Sequence, residues 1–235
     1  MSSTLGHNME SPHHTDVDPS VFFLLGIPGL EQFHLWLSLP VCGLGTATIV
    51  GNITILVVVA TEPVLHKPVY LFLCMLSTID LAASVSTVPK LLAIFWCGAG
   101  HISASACLAH MFFIHAFCMM ESTVLLAMAF DRFVAICYPL LYHIAMSPKV
   151  CFSLMLGSYF LSFSGAMAHT RCMLKLTSCE ANTINHYFCD TLHLLQLSCT
   201  STYVSELMVF IAAGIIFTVP SITIFISYFF TSPLS

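Results

Sequence analysis

Charge is what this chain has least of: six Lys or Arg and eleven Asp or Glu, 7% of 235 residues. A soluble domain carries roughly a quarter charged residues, so a globule that faces water on all sides is excluded. The net charge of −5 gives no basic footprint for a nucleic-acid partner. The first 34 residues contain no Lys or Arg and lack a basic start followed by a short apolar core, so no cleavable signal peptide is predicted. Enzyme signatures are missing as well: there is no glycine-rich phosphate loop, no metalloprotease helix and no triad outside the apolar runs. The chain is therefore not expected to be an enzyme. A usable glycosylation acceptor is also lacking. Asn8-Met9-Glu10 does not fit the pattern, and Asn52-Ile53-Thr54, which does, lies inside an apolar run out of an enzyme's reach.

What is present is apolar length. Hydrophobic residues make up 58% of the chain, in blocks of about 20 or more residues, enough to cross about 30 Å of hydrocarbon. The spans are placed at 35–60, 69–94, 105–137, 150–168 and 203–230, after a tail of residues 1–34 and before a short end at 231–235. The predicted fold class is all-α, a polytopic transmembrane bundle of five helices, with lipid as its surroundings. Basic residues alone leave the orientation tied. Lys67, Arg132 and Lys149 fall on one side and Lys90, Arg171 and Lys175 on the other.

Cysteine breaks the tie. Most of the eleven cysteines lie in apolar spans, where a thiol is a small hydrophobe. Cys179, Cys189 and Cys199 instead recur every ten residues in the polar loop 169–202. With Cys107 they make four, enough for two bridges in any of three pairings. Disulfides need an oxidising compartment, so this loop and the N-terminus are placed outside.

The third span acts as a ruler. Cys107 and Asp131 are 24 residues apart, about 36 Å at helical rise. One end reaches the outer surface, and the other carries the adjacent pair Asp131-Arg132 to the inner one. Between them lies Glu121, about 15 Å from the Asp131 end, with Asp80 at similar depth in the second span. Intramembrane carboxylates face the bundle interior and need a partner. No Lys or Arg lies at that depth, which leaves a shared proton, a small cation such as sodium, or polar neighbours such as Asn52 and Ser122. Met111, His115, Cys118, Met119 and Ser122 recur at three- and four-residue spacing and share one helix face. Such a face suits either ordinary helix packing or a small, mainly apolar ligand, with His115 as its polar contact. The histidines show no metal spacing, and no zinc is assigned. Pro220 would open a bend in the fifth span.

Several stretches, in order, resemble the vertebrate olfactory receptors of the rhodopsin-like G-protein-coupled class. They are Gly51-Asn52, Pro68-Val69-Tyr70-Leu71-Phe72-Leu73, Leu76-Ser77-Thr78-Ile79-Asp80-Leu81, Met120-Glu121, Met128-Ala129-Phe130-Asp131-Arg132-Phe133-Val134-Ala135-Ile136-Cys137, Ser147-Pro148 and Ser227-Tyr228. The resemblance implies a seven-helix fold of which the first five helices are here. It implies Cys107–Cys189 and Cys179–Cys199 bridges and a sodium-type site at Asp80 and Glu121. Odorant contacts would lie on the third-helix face and at Ala212, Ala213 and Ile216. Asp131 and Arg132 would form the G-protein switch, held closed by their salt bridge.

It implies too a receptor for small volatile or weakly polar odorants. Such a receptor works at the plasma membrane, through the stimulatory olfactory G protein and cyclic AMP, in the sense of smell. Phe133 replaces the usual Tyr after the Asp-Arg pair, and the family's basic inner loop and last two helices do not follow Tyr228. On that reading the 235 residues are a truncated form, signalling-incompetent and retained in the endoplasmic reticulum. The alternative is a non-signalling membrane fragment: a pseudogene product, or a polypeptide that associates with receptors or chaperones. Leu25-Gly26-Ile27-Pro28-Gly29-Leu30-Glu31 resembles the fish-like class of these receptors, whereas Asn185-His186-Tyr187-Phe188-Cys189-Asp190 resembles the terrestrial class. A mosaic joined near 150–170 is the expectation that follows.

Overall fold

The computed structural model describes residues 21–27, 29–174, 183–184 and 186–196, together with Leu207, Ile211, Gly214, Thr218, Ser221, Ile222, Phe225 and Phe229. In chain order the elements are β1 (Val21–Leu24), α1 (His34–Thr61), α2 (Pro68–Cys97), β2 (His101–Ser103), α3 (Ala104–Cys137), α4 (Tyr142–Ala145), α5 (Pro148–Met173), β3 (Thr183–Ile184) and α6 (Thr191–Gln196). Among the described residues four helices, α1, α2, α3 and α5, are long and apolar enough to cross a membrane. The eight described positions between 207 and 229 are helical, and the rest of the fifth expected span lies outside the described residues.

Local chemistry sets the helix ends. Pro68 and Pro148 occupy first-turn positions, where a missing N–H breaks no intrahelical bond. Ser103 caps α3 by accepting the Ala106 N–H. Gly98 ends α2 at φ +61° and returns its N–H to the last turn, a left-handed cap that a Cβ would disfavour. Pro40 and Pro89 lie inside α1 and α2.

With lipid outside, helices associate by close packing rather than by escape from water. Accordingly α3 lies between α2 and α5, and α1 packs on α2. The shared core joins Phe72, Met75 and Ile79 of α2 to Ala116, Met120, Val124 and Ala127 of α3 and to Cys151 and Ala166 of α5. Small residues permit the approach: a Cβ on Gly165 would come within 3.0 Å of the Met119 sulfur.

The outer end carries what the helical reading did not foresee, a three-stranded sheet in the order β2-β1-β3. β1, from the N-terminal tail, is antiparallel to β2 and parallel to β3. Phe22 and Leu24 are buried against Leu91, Ile94, Phe95 and the Cys107–Cys189 bridge. Gly100 makes this possible, because a Cβ there would fall on the Leu24 carbonyl oxygen.

A second difference concerns the fourth span. α5 continues past residue 168 through His169, Thr170, Arg171 and Cys172 to Met173. Arg171 is exposed in its last turn, where a cation complements the helix dipole and can reach the headgroup region.

Candidate functional site

Three sites lie along α3, one toward each end and one at mid-depth. At the outer end Cys107 is bonded to Cys189, 82 residues away with Cα atoms 5.5 Å apart. The partners expected of the other two loop cysteines, Cys179 and Cys199, lie outside the described residues, as do Ala212, Ala213 and Ile216.

One turn inward from Cys107, Met111 is fully buried against Met173 of α5 and Leu195 of α6. The next turn brings His115, whose Nδ1 lies 2.8 Å from the Met111 carbonyl oxygen. Its ring stacks on His169 of α5 with centroids 4.4 Å apart. Nε2 of His115 is 3.4 Å from the Thr191 hydroxyl, which also approaches the Met111 sulfur at 3.6 Å. Met119 lies against Gly165, and Cys118 is half-buried. The face containing Met111, His115 and Met119 therefore meets α5 and α6 directly. Histidine, threonine and methionine sulfur form its polar elements.

At mid-depth Asp80 of α2 and Glu121 of α3 are close enough to act on each other electrostatically. The polar side chains proposed beside them are engaged on their own helices. Asn52 donates to the Thr48 carbonyl at 3.0 Å and Ser122 to the Cys118 carbonyl at 3.1 Å. Two facing carboxyls supply hard oxygen donors, and that donor set fits either a shared proton or a sodium ion.

At the inner end Asp131 is buried, and its Oδ1 accepts the Tyr142 hydroxyl at 2.9 Å. Arg132 is exposed and acts on Asp131 electrostatically. Burial and the carboxylate push the Tyr142 hydroxyl up to about 12, so it stays a donor at neutral pH. The bond that holds Asp131 in this structure comes from Tyr142 of α4. Sequence reading missed Tyr142.

The family model of the olfactory receptors matches residues 41–231. The chain belongs to the olfactory receptor family. Olfactory receptor 52P1 of Homo sapiens is 65% identical over 223 residues, which cover 94% of this chain and 68% of that receptor. Olfactory receptor 8B4 of Homo sapiens is 49% identical over 207 residues, 88% of this chain and 67% of the relative. Olfactory receptor 8B8 of Mus musculus is 48% identical over 210 residues, with the same two shares.

Three residues of this olfactory receptor chain that matter most were not singled out in the sequence. In the sequence His169 and Thr191 fall within the polar loop 169–202, because His169-Thr170-Arg171 reads as a polar end to the fourth span. The histidine lies one helical turn before the end of α5, facing α3. A signal was available: Cys172-Met173 prolongs the apolar spacing past Arg171. Tyr142 had none, because a four-residue helix has no readable period.

Proposed function

We propose that this olfactory receptor chain binds a small, mainly apolar odorant in the outer half of its bundle and transmits binding along α3 to Asp131-Arg132. The observation that carries the reading is that one rigid helix holds both ends. Cys107 and His115 are tied to the outer loop and α6, and Asp131 is tied to α4.

A ligand shifts a conformational equilibrium only by its differential affinity for the two states. Contacts at Met111, His115, Cys118 and Met119 supply that difference where α3 meets α5, and the fifth span would add Ala212, Ala213 and Ile216. Asp80 and Glu121 would hold a sodium ion between the two ends, neutralising their charge and joining α2 to α3. Arg132, released from Asp131, would engage the stimulatory olfactory G protein and so raise cyclic AMP. A multi-pass receptor in the plasma membrane with its N-terminus outside fits this reading. The contrasting location is retention in the endoplasmic reticulum, and staining of a tail epitope before and after permeabilisation separates the two.

The direct test is ligand binding by the full 235-residue chain in lipid nanodiscs. Saturable binding of tritiated heptan-1-ol above empty nanodiscs, weakened in His115→Ala, is the expected result. Binding that is absent, or equal in the variant, would overturn the assignment of the site.

A further inference from the structure

The imidazole pair at the α3–α5 contact says more about the ligand than its apolar surroundings do. Nδ1 of His115 lies 2.8 Å from the Met111 carbonyl oxygen, which can only accept, so that nitrogen carries the proton. Nε2 of His115 is then a bare acceptor. The Thr191 hydroxyl has one proton for two acceptors, this nitrogen at 3.4 Å and the Met111 sulfur at 3.6 Å.

His169 is the unsatisfied member of the pair. Both of its ring nitrogens are shielded from solvent, and among the described residues neither has a hydrogen-bond partner. A neutral imidazole presents one donor and one acceptor, and leaving both unmatched in a buried site is unfavourable. A ligand group that complements the pair must therefore accept a hydrogen bond, donate one, or do both. Charge narrows the choice. Asp190 directly precedes Thr191, whose hydroxyl lies 3.4 Å from His115 Nε2, so a second anion at the pair would sit near that carboxylate and be repelled. A hydroxyl can accept from the His169 N–H and donate to a bare imidazole nitrogen, and it brings no charge.

We infer that His169, stacked on His115, is the specificity-determining polar contact where α3 meets α5 and selects neutral alcohols over carboxylates and hydrocarbons of equal length. The inference rests on the odorant-binding reading above and goes beyond it by naming the ligand's functional group and a residue on a different helix.

The test uses the full chain in nanodiscs with tritiated heptan-1-ol, heptanoate and heptane, each corrected for empty nanodiscs. For the unaltered chain the alcohol should bind more tightly than the alkane by about 3- to 10-fold, the worth of a single net hydrogen bond. Heptanoate at neutral pH should bind more weakly than the alcohol. His169→Phe keeps a ring to stack but no nitrogen, and should bring the alcohol-to-alkane ratio near one. His169→Gln restores a donor and an acceptor and should recover most of the ratio, which a packing role alone would not produce. His110 gives the control. Its ring nitrogens are also shielded from solvent, but among the described residues no imidazole stacks on it, so His110→Phe should leave the ratio unchanged.

An unchanged ratio in His169→Phe, or a preference for heptanoate, would overturn the inference while leaving the odorant site standing. Failure of all three probes to bind a chain that unfolds cooperatively on heating would overturn both.

Discussion

Tyr142 of α4 donates its hydroxyl to Oδ1 of Asp131 of α3 at 2.9 Å, linking the inner loop to the charged pair. Asp131 is only 3% exposed, so losing this donor strands a buried carboxylate oxygen. Tyr142→Phe should destabilise the folded chain by about 1–3 kcal/mol, read as a lowered midpoint of thermal unfolding in detergent. Asp131→Asn alone and with Tyr142→Phe completes a double-mutant cycle. Additive effects would show that the two groups are not coupled.

The same bond predicts a pH dependence with a definite sign. The Tyr142 hydroxyl is raised from 10.0 to about 12 by burial and by Asp131. A group whose folded-state value is raised contributes stability that is complete below its unfolded value and is lost as pH climbs to the folded one. Stability should therefore fall between pH 10 and about 12 in the unaltered chain. Tyrosinate absorbance should contain one component titrating near the upper limit, and Tyr142→Phe should delete it.

Much of the fold was legible because the bilayer enforces it. Four of the long apolar runs became α1, α2, α3 and α5, since backbone polar groups in hydrocarbon must be satisfied within a helix. The Cys107–Cys189 bridge was reached through the family resemblance, not through spacing, which left three pairings open. The outer sheet was illegible. Val21–Leu24 is four residues long and pairs with segments about 80 and 160 positions away, so its register comes from tertiary contacts that no local pattern encodes. His169 was hidden for a different reason, because a polar triplet at a membrane boundary reads as loop even when its backbone remains helical.

Gly100 offers a test of that sheet. The Leu24 N–H donates to the Gly100 carbonyl at 2.9 Å, and a Cβ on Gly100 would fall on the Leu24 carbonyl oxygen. Gly100→Ala should cost about 1–3 kcal/mol through overpacking and should release protection of the Leu24 amide in hydrogen exchange. Gly157 in α5 has nothing within 4 Å of its would-be Cβ, so Gly157→Ala should be neutral or stabilise by about 0.5–1 kcal/mol. Equal effects at the two positions would show that the close approach at Gly100 is unimportant.

The relatives allow a test of the mosaic expectation. The chain is 65% identical to olfactory receptor 52P1 and 49% identical to olfactory receptor 8B4, both of Homo sapiens. If it joins two receptor classes near 150–170, identity to 52P1 should be concentrated before that interval and identity to 8B4 after it. Genomic sequence across the interval should then show two separate sources. Uniform identity to 52P1 on both sides would end the idea.

Asp80 and Glu121 decide between a shared proton and a cation. Their carboxyls act on each other across the α2–α3 contact, and either occupant would relieve the repulsion between them. Only the cation predicts ion-specific stabilisation. A ligand that binds the folded chain alone, at ten times its Kd, stabilises it by about 1.4 kcal/mol. Exchanging potassium for sodium at constant ionic strength should therefore raise the thermal midpoint of the unaltered chain. Asp80→Asn and Glu121→Gln each remove a charged donor and should abolish the difference between the two salts. If sodium and potassium instead give the same midpoint, the pair is held by a proton, and Glu121→Gln, which keeps a hydrogen-bond donor, should leave the midpoint close to that of the unaltered chain.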